Sequence, residues 1–275
     1  MCRLETLNLD DVWQKELGWN AKKKSGRKFD DEIELKVWEN LAPIYSKKYN
    51  LYQGVPKLKN KIHSILGKGN KILDLGCGCG NFAIPLASTA KEILALDFSS
   101  AMLQQLALKI KEENIHNIRM VCSKWEDFQG EYQADFVLSV NSLYRICYMR
   151  KALSKMVLYG KKGFVIVRTI IRPSMYSIYH DLGINYKKYN DYILVPAMLL
   201  DMGINANVDF IRYEKSIEYP DWEHAEEEML KNLGELTYLN FSDQLRENFL
   251  QRAKKENNRF IFPFERVIQI ISYVK

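Results

Sequence analysis

The chain has no apolar run long enough to cross a bilayer. Its best candidate, Tyr192 to Leu200, is bounded by Asp191 and Asp201 and is half the length of roughly 20 residues that a spanning helix needs. The first residues, Met1-Cys2-Arg3-Leu4-Glu5, carry no apolar signal core, so no secretory leader is expected. Cysteine is sparse: five residues, an odd number without framework spacing. That excludes a disulfide scaffold and predicts a reducing, cytoplasmic setting. Cys77 and Cys79 have only one residue between them, but no His/Cys pair elsewhere completes a ligand set, and no metal is expected. There is no internal repeat and no low-complexity segment. A phosphate-binding loop ending in Gly-Lys-Ser/Thr is also missing.

What is present is enough apolar material for a substantial core. The 275 residues are 47% hydrophobic, a length that suits one large α/β domain with embellishments. Formal net charge is +6, with much of the excess in Lys22, Lys23, Lys24, Arg27 and Lys28. No aromatic residues interleave with these cations, so the cluster is expected to be a solvated approach to the domain rather than a nucleic-acid contact.

The informative stretch is Ile72-Leu73-Asp74-Leu75-Gly76-Cys77-Gly78-Cys79-Gly80. An apolar run ends in an acid, three glycines alternate, and a new apolar segment opens at Phe82. This reads as a buried strand, a turn stripped of side chains, and a helix. Glycine lets a ligand approach the main chain closely, and ligands of open parallel sheets bind at the carboxyl ends of strands. The G-x-G-x-G spacing puts Asn81 where a dinucleotide fingerprint would continue, which argues against a nicotinamide cofactor. Asp74 argues against a phosphate and suits a ligand bearing an ammonium or sulfonium.

Ile93-Leu94-Ala95-Leu96-Asp97 is a second apolar run ending in an acid, seventeen residues after Gly80. That separation crosses one helix and returns to the adjacent parallel strand. A carboxylate there can accept both hydroxyls of a ribose. Ser99 or Ser100 then caps a helix with Met102, Leu103, Leu106 and Ile110 on its apolar side.

These residues resemble the class I S-adenosylmethionine-dependent methyltransferases. Leu73 to Gly80 is similar to the family's first motif, and Ala95-Leu96-Asp97-Phe98-Ser99 with Met102-Leu103 to its second. Trp125-Glu126-Asp127-Phe128 looks like the loop after the third strand, and Ala134 to Asn141 like the fourth strand. Trp38, Ala42 and Tyr45 resemble the W-x-x-x-A-x-x-Y helix that often precedes the domain. The resemblance covers residues 36 to 170 clearly. It implies S-adenosyl-L-methionine as cofactor, with Gly76, Cys77, Gly78 and Gly80 along its methionine portion and Asp74 organising that loop. It further implies Asp97 on the ribose, Phe98 and Met102 flanking the adenine, Trp125 and Glu126 at the base, Asn141 near the methyl, and Tyr45 in a lid. One departure is Lys124: the family often places an Asp there to take the adenine amino group, and a lysine cannot accept that bond.

The expected fold is α/β: a doubly wound, mostly parallel seven-stranded sheet with a final antiparallel strand, a helical N-terminal extension and helical cap insertions. Residues 1–66 are read as the extension and lid, and 67–275 as the Rossmann-like domain with insertions near 174–200 and 220–256. Strands are expected near 71–75, 92–96, 117–122, 135–140, 163–169, 207–218 and 260–274. For the methyl acceptor side, Asn141, Ser142, Tyr144 and Arg145 follow the fourth strand, and Arg168, Arg172, Tyr176, Tyr179 and His180 end or follow the fifth. Tyr144 and His180 are the candidate catalytic groups. The stretch Asn141-Ser142-Leu143-Tyr144 lacks the prolines of exocyclic nucleobase amine methylases, and Cys147 lacks the preceding proline of cytosine C5 enzymes. A small-molecule acceptor is therefore expected ahead of RNA or protein. A protein that retains the fold without catalysis is the alternative.

Overall fold

The computed structural model describes residues 8–18, 29–48, 55–170, 172–186 and 191–275. The basic cluster at 22–28 lies outside them. Strands are β1 (Lys71–Leu75), β2 (Glu92–Asp97), β3 (Ile118–Cys122), β4 (Ala134–Val140), β5 (Gly160–Ile170), β6 (Asn207–Tyr219), β7 (Lys254–Glu256) and β8 (Arg259–Val274). They form one sheet in the order β3-β2-β1-β4-β5-β8-β6, with the short β7 pairing antiparallel to β8 off that path. The expected mostly parallel sheet with a final antiparallel strand forms, but with eight strands rather than seven, because Lys254–Glu256 pairs with β8 as an extra short strand. The pairs β1–β2, β1–β4, β2–β3 and β4–β5 are parallel. Chain order reverses between β1 and β4, so the crevice that opens where neighbouring crossovers diverge lies at those strand tips.

The helices are α1 (Leu9–Leu17), α2 (Asp31–Lys48), α3 (Pro56–Leu66), α4 (Ala83–Ala87), α5 (Ser100–Glu112), α6 (Met149–Tyr159), α7 (Tyr176–Asp181), α8 (Asp191–Asp201), α9 (Trp222–Leu233) and α10 (Glu235–Arg252). The pattern at 81–89 predicts a longer helix than α4. The glycine turn occupies its first residues, and Pro85 lies within the five that remain. The stretch 220–256, expected as helical material, breaks at Gly234, whose φ is +77°, and its last three residues join the sheet as β7.

By packing, the chain divides into two compact units. The first comprises Met1–Arg168, Asn190–Ile211 and Gln269–Lys275; the second, Thr169–Tyr189 and Arg212–Ile268. Buried Leu73, Leu94, Val137, Phe164, Ile166 and Ile271 form the sheet part of the first core. Helices α1 and α8 close one side of it through Trp13, Val195, Met198 and Leu199. Trp13 is fully buried, and its indole Nε1 donates to Ile146 O at 2.6 Å. Asn8 caps α1 by accepting from Asp10 N at 3.0 Å, and Gly18 ends the helix in a left-handed conformation. Asp30 caps α2, accepting from Glu32 N and Ile33 N at 2.9 and 3.2 Å, which satisfies two of the donors a helix start leaves open. The second unit has its own aromatic core, including Tyr179, Tyr219, Phe249 and Phe262.

Candidate active site

The glycine turn is strapped to the end of β2. Gly76 N and Cys77 N donate to Leu96 O at 2.7 and 3.0 Å, and Gly78 N donates to Asp97 Oδ2 at 2.8 Å. Asp97 Oδ1 accepts from Ser99 N at 2.9 Å, while the Ser99 hydroxyl caps α5 at Met102 N. The bare loop and the carboxylate therefore abut through a direct hydrogen bond. Burial raises the pKa of Asp97, and the main-chain donors of Ser99, Gly78 and Phe98 oppose that rise. Three main-chain donors leave about one of the carboxylate's roughly four lone-pair sites for a ligand hydroxyl.

The three glycines are needed for different reasons. A Cβ at Gly76 would lie 2.2 Å from Ser142 Cβ, because the tips of β1 and β4 touch there; Ser142 Oγ donates to Leu75 O at 2.7 Å. A Cβ at Gly80 would lie 2.4 Å from Leu106, so this glycine lets α5 pack. Only Gly78, at φ +54°, faces open space, and it is the position where a ligand can lie on the main chain.

Above these tips is a cavity of about 280 Å³. Of the residues expected at the cofactor, Tyr45, Gly76, Gly78, Asp97, Phe98, Met102, Trp125, Glu126 and Asn141 line it. Asp74, Cys77 and Gly80 stand behind the wall. Asp74 is buried and takes a main-chain hydrogen bond from Ala83, while its Oδ2 has no partner; burial first, and then the Asp97 charge, push its pKa up to about 7. Burial pushes the Cys77 thiol well up, with Asp97 and Asp74 adding to the effect. Trp125 is buried: its indole Nε1 donates to Ala152 O at 3.2 Å, Phe128 stacks beside it, and Lys155 Nζ lies 4.6 Å from its ring centroid. Asn141 adopts φ +52°, a conformation asparagine tolerates, and its N–H donates to Val167 O at 2.9 Å.

Of the two candidate catalytic groups, Tyr144 lines the cavity from a single turn of 3-10 helix after β4. His180 belongs to the second unit, on α7, exposed and 3.3 Å from Asp181 Oδ1. Ser142 and Arg145 also line the cavity; Arg168, Arg172, Tyr176 and Tyr179 are not among its lining residues.

Of the acids on α2 that the motif reading leaves out, Asp31 lines the cavity and Glu34 lies behind the lining. Glu34 is fully buried, and its Oε1 accepts from Trp38 Nε1 at 2.7 Å and from the Tyr144 hydroxyl. Asp31 forms ion pairs with Lys124 and, at 2.9 Å, with Arg145. Phe29 lines the cavity just before the helix begins. A signal for Glu34 exists in the sequence. Residues 31, 34, 38, 42 and 45 share one helical stripe, and an acid in a stripe that holds Trp38, Ala42 and Tyr45 is out of place unless bonded.

An open, mostly parallel α/β sheet with a glycine turn after β1 and a buried carboxylate at the tip of β2 defines a Rossmann-like protein. Residues 72–163, about a third of the chain, match the family model described as "Methyltransferase domain". The chain is 30% identical over 145 residues to an "Uncharacterized protein" of Haemophilus influenzae, covering 52% of this chain and 54% of that one. It thus spans about half the length of that relative. A 49-residue stretch is 45% identical to a 23S rRNA (uracil(1939)-C(5))-methyltransferase of Pseudomonas putida, covering 18% of this chain and 11% of that one. Among solved structures, a putative methyltransferase from Bacillus halodurans is similar in fold, with a TM-score of 0.53 at 16% identity over 80% of this chain and 99% of that one. Among the described residues, no helix is long and apolar enough to cross a membrane.

Proposed function

We propose that the protein transfers a methyl group from S-adenosyl-L-methionine to a nucleophile on a small molecule. The observation that carries this is the direct bond from Gly78 N to Asp97 Oδ2 at the floor of the cavity. It sets a main-chain surface and a diol-accepting carboxylate side by side, as an adenosyl amino acid requires. The fit is good: Gly78 offers open space where a side chain would block the amino-acid tail, and Asp97 has spare acceptor capacity.

When bound, the cofactor supplies a methyl group on a positively charged sulfur, so the electrophile comes ready-made. The chain's part is to bind, orient and exclude water. Asp97 holds the sugar, and Met102 and Phe98 shape the base end of the cavity. Asn141, Ser142 and Tyr144, hanging from the tip of β4, border the space left for an acceptor. Orientation of this kind contributes roughly 7–11 kcal/mol of barrier reduction. The Tyr144 hydroxyl donates to buried Glu34 and accepts from Trp38 Nε1 at 3.3 Å, which fixes its oxygen at the edge of that space.

A small cavity with aromatic walls from Phe29, Trp38, Tyr45, Phe98 and Tyr144 favours a small acceptor over a polymer. The local likeness to an rRNA uracil-C5 methyltransferase motivates RNA as a second reading. The chemistry of Cys147 does not support it: that thiol lines the cavity, but burial first, then Asp10 and Glu126, raise its pKa, which disfavours the thiolate a cysteine nucleophile needs.

Calorimetric titration with S-adenosylmethionine and S-adenosylhomocysteine is the test. Binding of both is expected, and binding of neither overturns the proposal. Methyl-labelled S-adenosylmethionine, incubated with separate small-molecule and RNA fractions of a cell extract, distinguishes the acceptors. Label is expected among the small molecules, and label confined to RNA reverses that choice.

A further inference from the structure

We propose that Asp31 and Lys124 together read the edge of the purine in the bound nucleoside and make the site selective for a 6-amino base. This rests on the reading above that the cavity takes an adenosyl ligand. The base end of the cavity is located by Asp97. Its main-chain oxygen accepts from Ser123 N at 2.9 Å, which brings the segment after β3 against the tip of β2. Phe98 follows Asp97 in the chain, and the Arg145 guanidinium lies 5.3 Å from the Phe98 ring centroid. Arg145 Nη2 donates to Asp31 Oδ1 at 2.9 Å, and Lys124 Nζ bonds Asp31 Oδ2. All four residues line the cavity. Beyond the sugar carboxylate, therefore, the wall presents a carboxylate acceptor beside an ammonium donor.

A 6-amino purine carries the complementary pair on adjacent atoms: the amino group donates and N1 accepts. A 6-oxo purine reverses both, so that its oxygen meets a carboxylate and its N1–H meets an ammonium. The pair on the protein has capacity to spare. Each oxygen of Asp31 spends one lone pair on its cation and keeps another, and an ammonium has three protons. Burial alone would raise the Asp31 pKa, but the bonds from Lys124 and Arg145 outweigh it and hold the carboxyl below the usual range, so the acceptor stays ionised. Lys124 alone has no acceptor for an amino group; the acceptor arrives from α2, ninety-three residues earlier in the chain, and is brought there by Lys124 and Arg145.

The test compares S-adenosylhomocysteine with S-inosylhomocysteine, which differs only in carrying oxygen for the 6-amino group, by calorimetry on the full chain. The unmodified protein is expected to prefer the adenosyl compound at least about tenfold, since two hydrogen bonds are exchanged for two mismatches. In Asp31→Ala that preference is expected to fall to about twofold or less, and Lys124→Met is expected to lower it in the same direction. If the pair only pins α2 in place, both ligands weaken equally and the ratio stays unchanged, which overturns the proposal. Equal affinity in the unmodified protein also overturns it, while leaving the methyltransferase reading intact. Absence of binding by either compound sinks both. Asp31 and Lys124 are 41% and 38% exposed, so neither substitution opens a core cavity, and a thermal melt of each variant confirms that it is folded.

Discussion

A carboxylate's environment separates two aspartates that look alike in sequence. Asp74 and Asp97 each close a buried strand, yet one stands behind the glycine turn with an oxygen unpartnered and the other lines the cavity. If Asp97 holds the ribose, Asp97→Ala weakens S-adenosylhomocysteine by about 1–3 kcal/mol in a calorimetric titration; unchanged affinity contradicts that role. Asp74 makes its prediction through pH. Its folded pKa, pushed up to about 7, exceeds that of an unfolded aspartate, about 3.9. The folded state therefore holds the proton more tightly, and the associated stability is full below about pH 4 and is lost as pH rises through 7. Urea unfolding between pH 5 and 8 should show the parent protein losing stability that Asp74→Asn retains; parallel pH curves would refute this. Both aspartates were legible as motif positions. The family resemblance also implied their division of labour, Asp74 in the loop and Asp97 toward the ligand, and only Asp97 lines the cavity; the unpartnered oxygen of Asp74 was not legible, because burial depends on what packs behind the turn.

At the level of elements, most of the architecture could be read from periodicity. The five parallel strands, the helix after Asp97 and the terminal strands fall within a few residues of their expected places, because buried strands are short apolar runs and helices repeat at i, i+3 and i+4. The discrepancies have local causes. The glycine turn takes the start of α4, and Gly234 divides α9 from α10. Helix α10 anchors the second unit through Phe249, which is fully buried and stacks on Phe262 at 5.2 Å between centroids. Phe249→Ala should cost about 3–5 kcal/mol, read as a lower urea midpoint; a loss under 1 kcal/mol would mean that the ring is not central to that core. Helix α2 carries the least expected content. Its Trp38 and Tyr45 were visible in the sequence, whereas Asp31 and Glu34 look like ordinary surface acids until Lys124, Arg145 and Tyr144 come to meet them.

For the molecule as a whole, a ligand that binds only the folded chain must stabilise it by mass action. S-adenosylhomocysteine at a hundred times its Kd is expected to add about 2.7 kcal/mol and to raise the melting temperature, increasingly so with concentration. A melting temperature that does not respond would contradict a folded-state site. Glycine spacing, acids at strand ends and the alternation of apolar segments determined the sheet and its direction, because each is a local consequence of neighbouring residues, and the same motifs carried the family resemblance that implied the cofactor. The cavity's outer wall was settled only in three dimensions. Asp31, Lys124, Tyr144 and Arg145, with Glu34 behind them, come from three separate segments, and no local pattern records which charges will meet. Ion pairs and hydrogen bonds between distant segments form only after the core has fixed the distances, so partnership across the chain is a property of the fold.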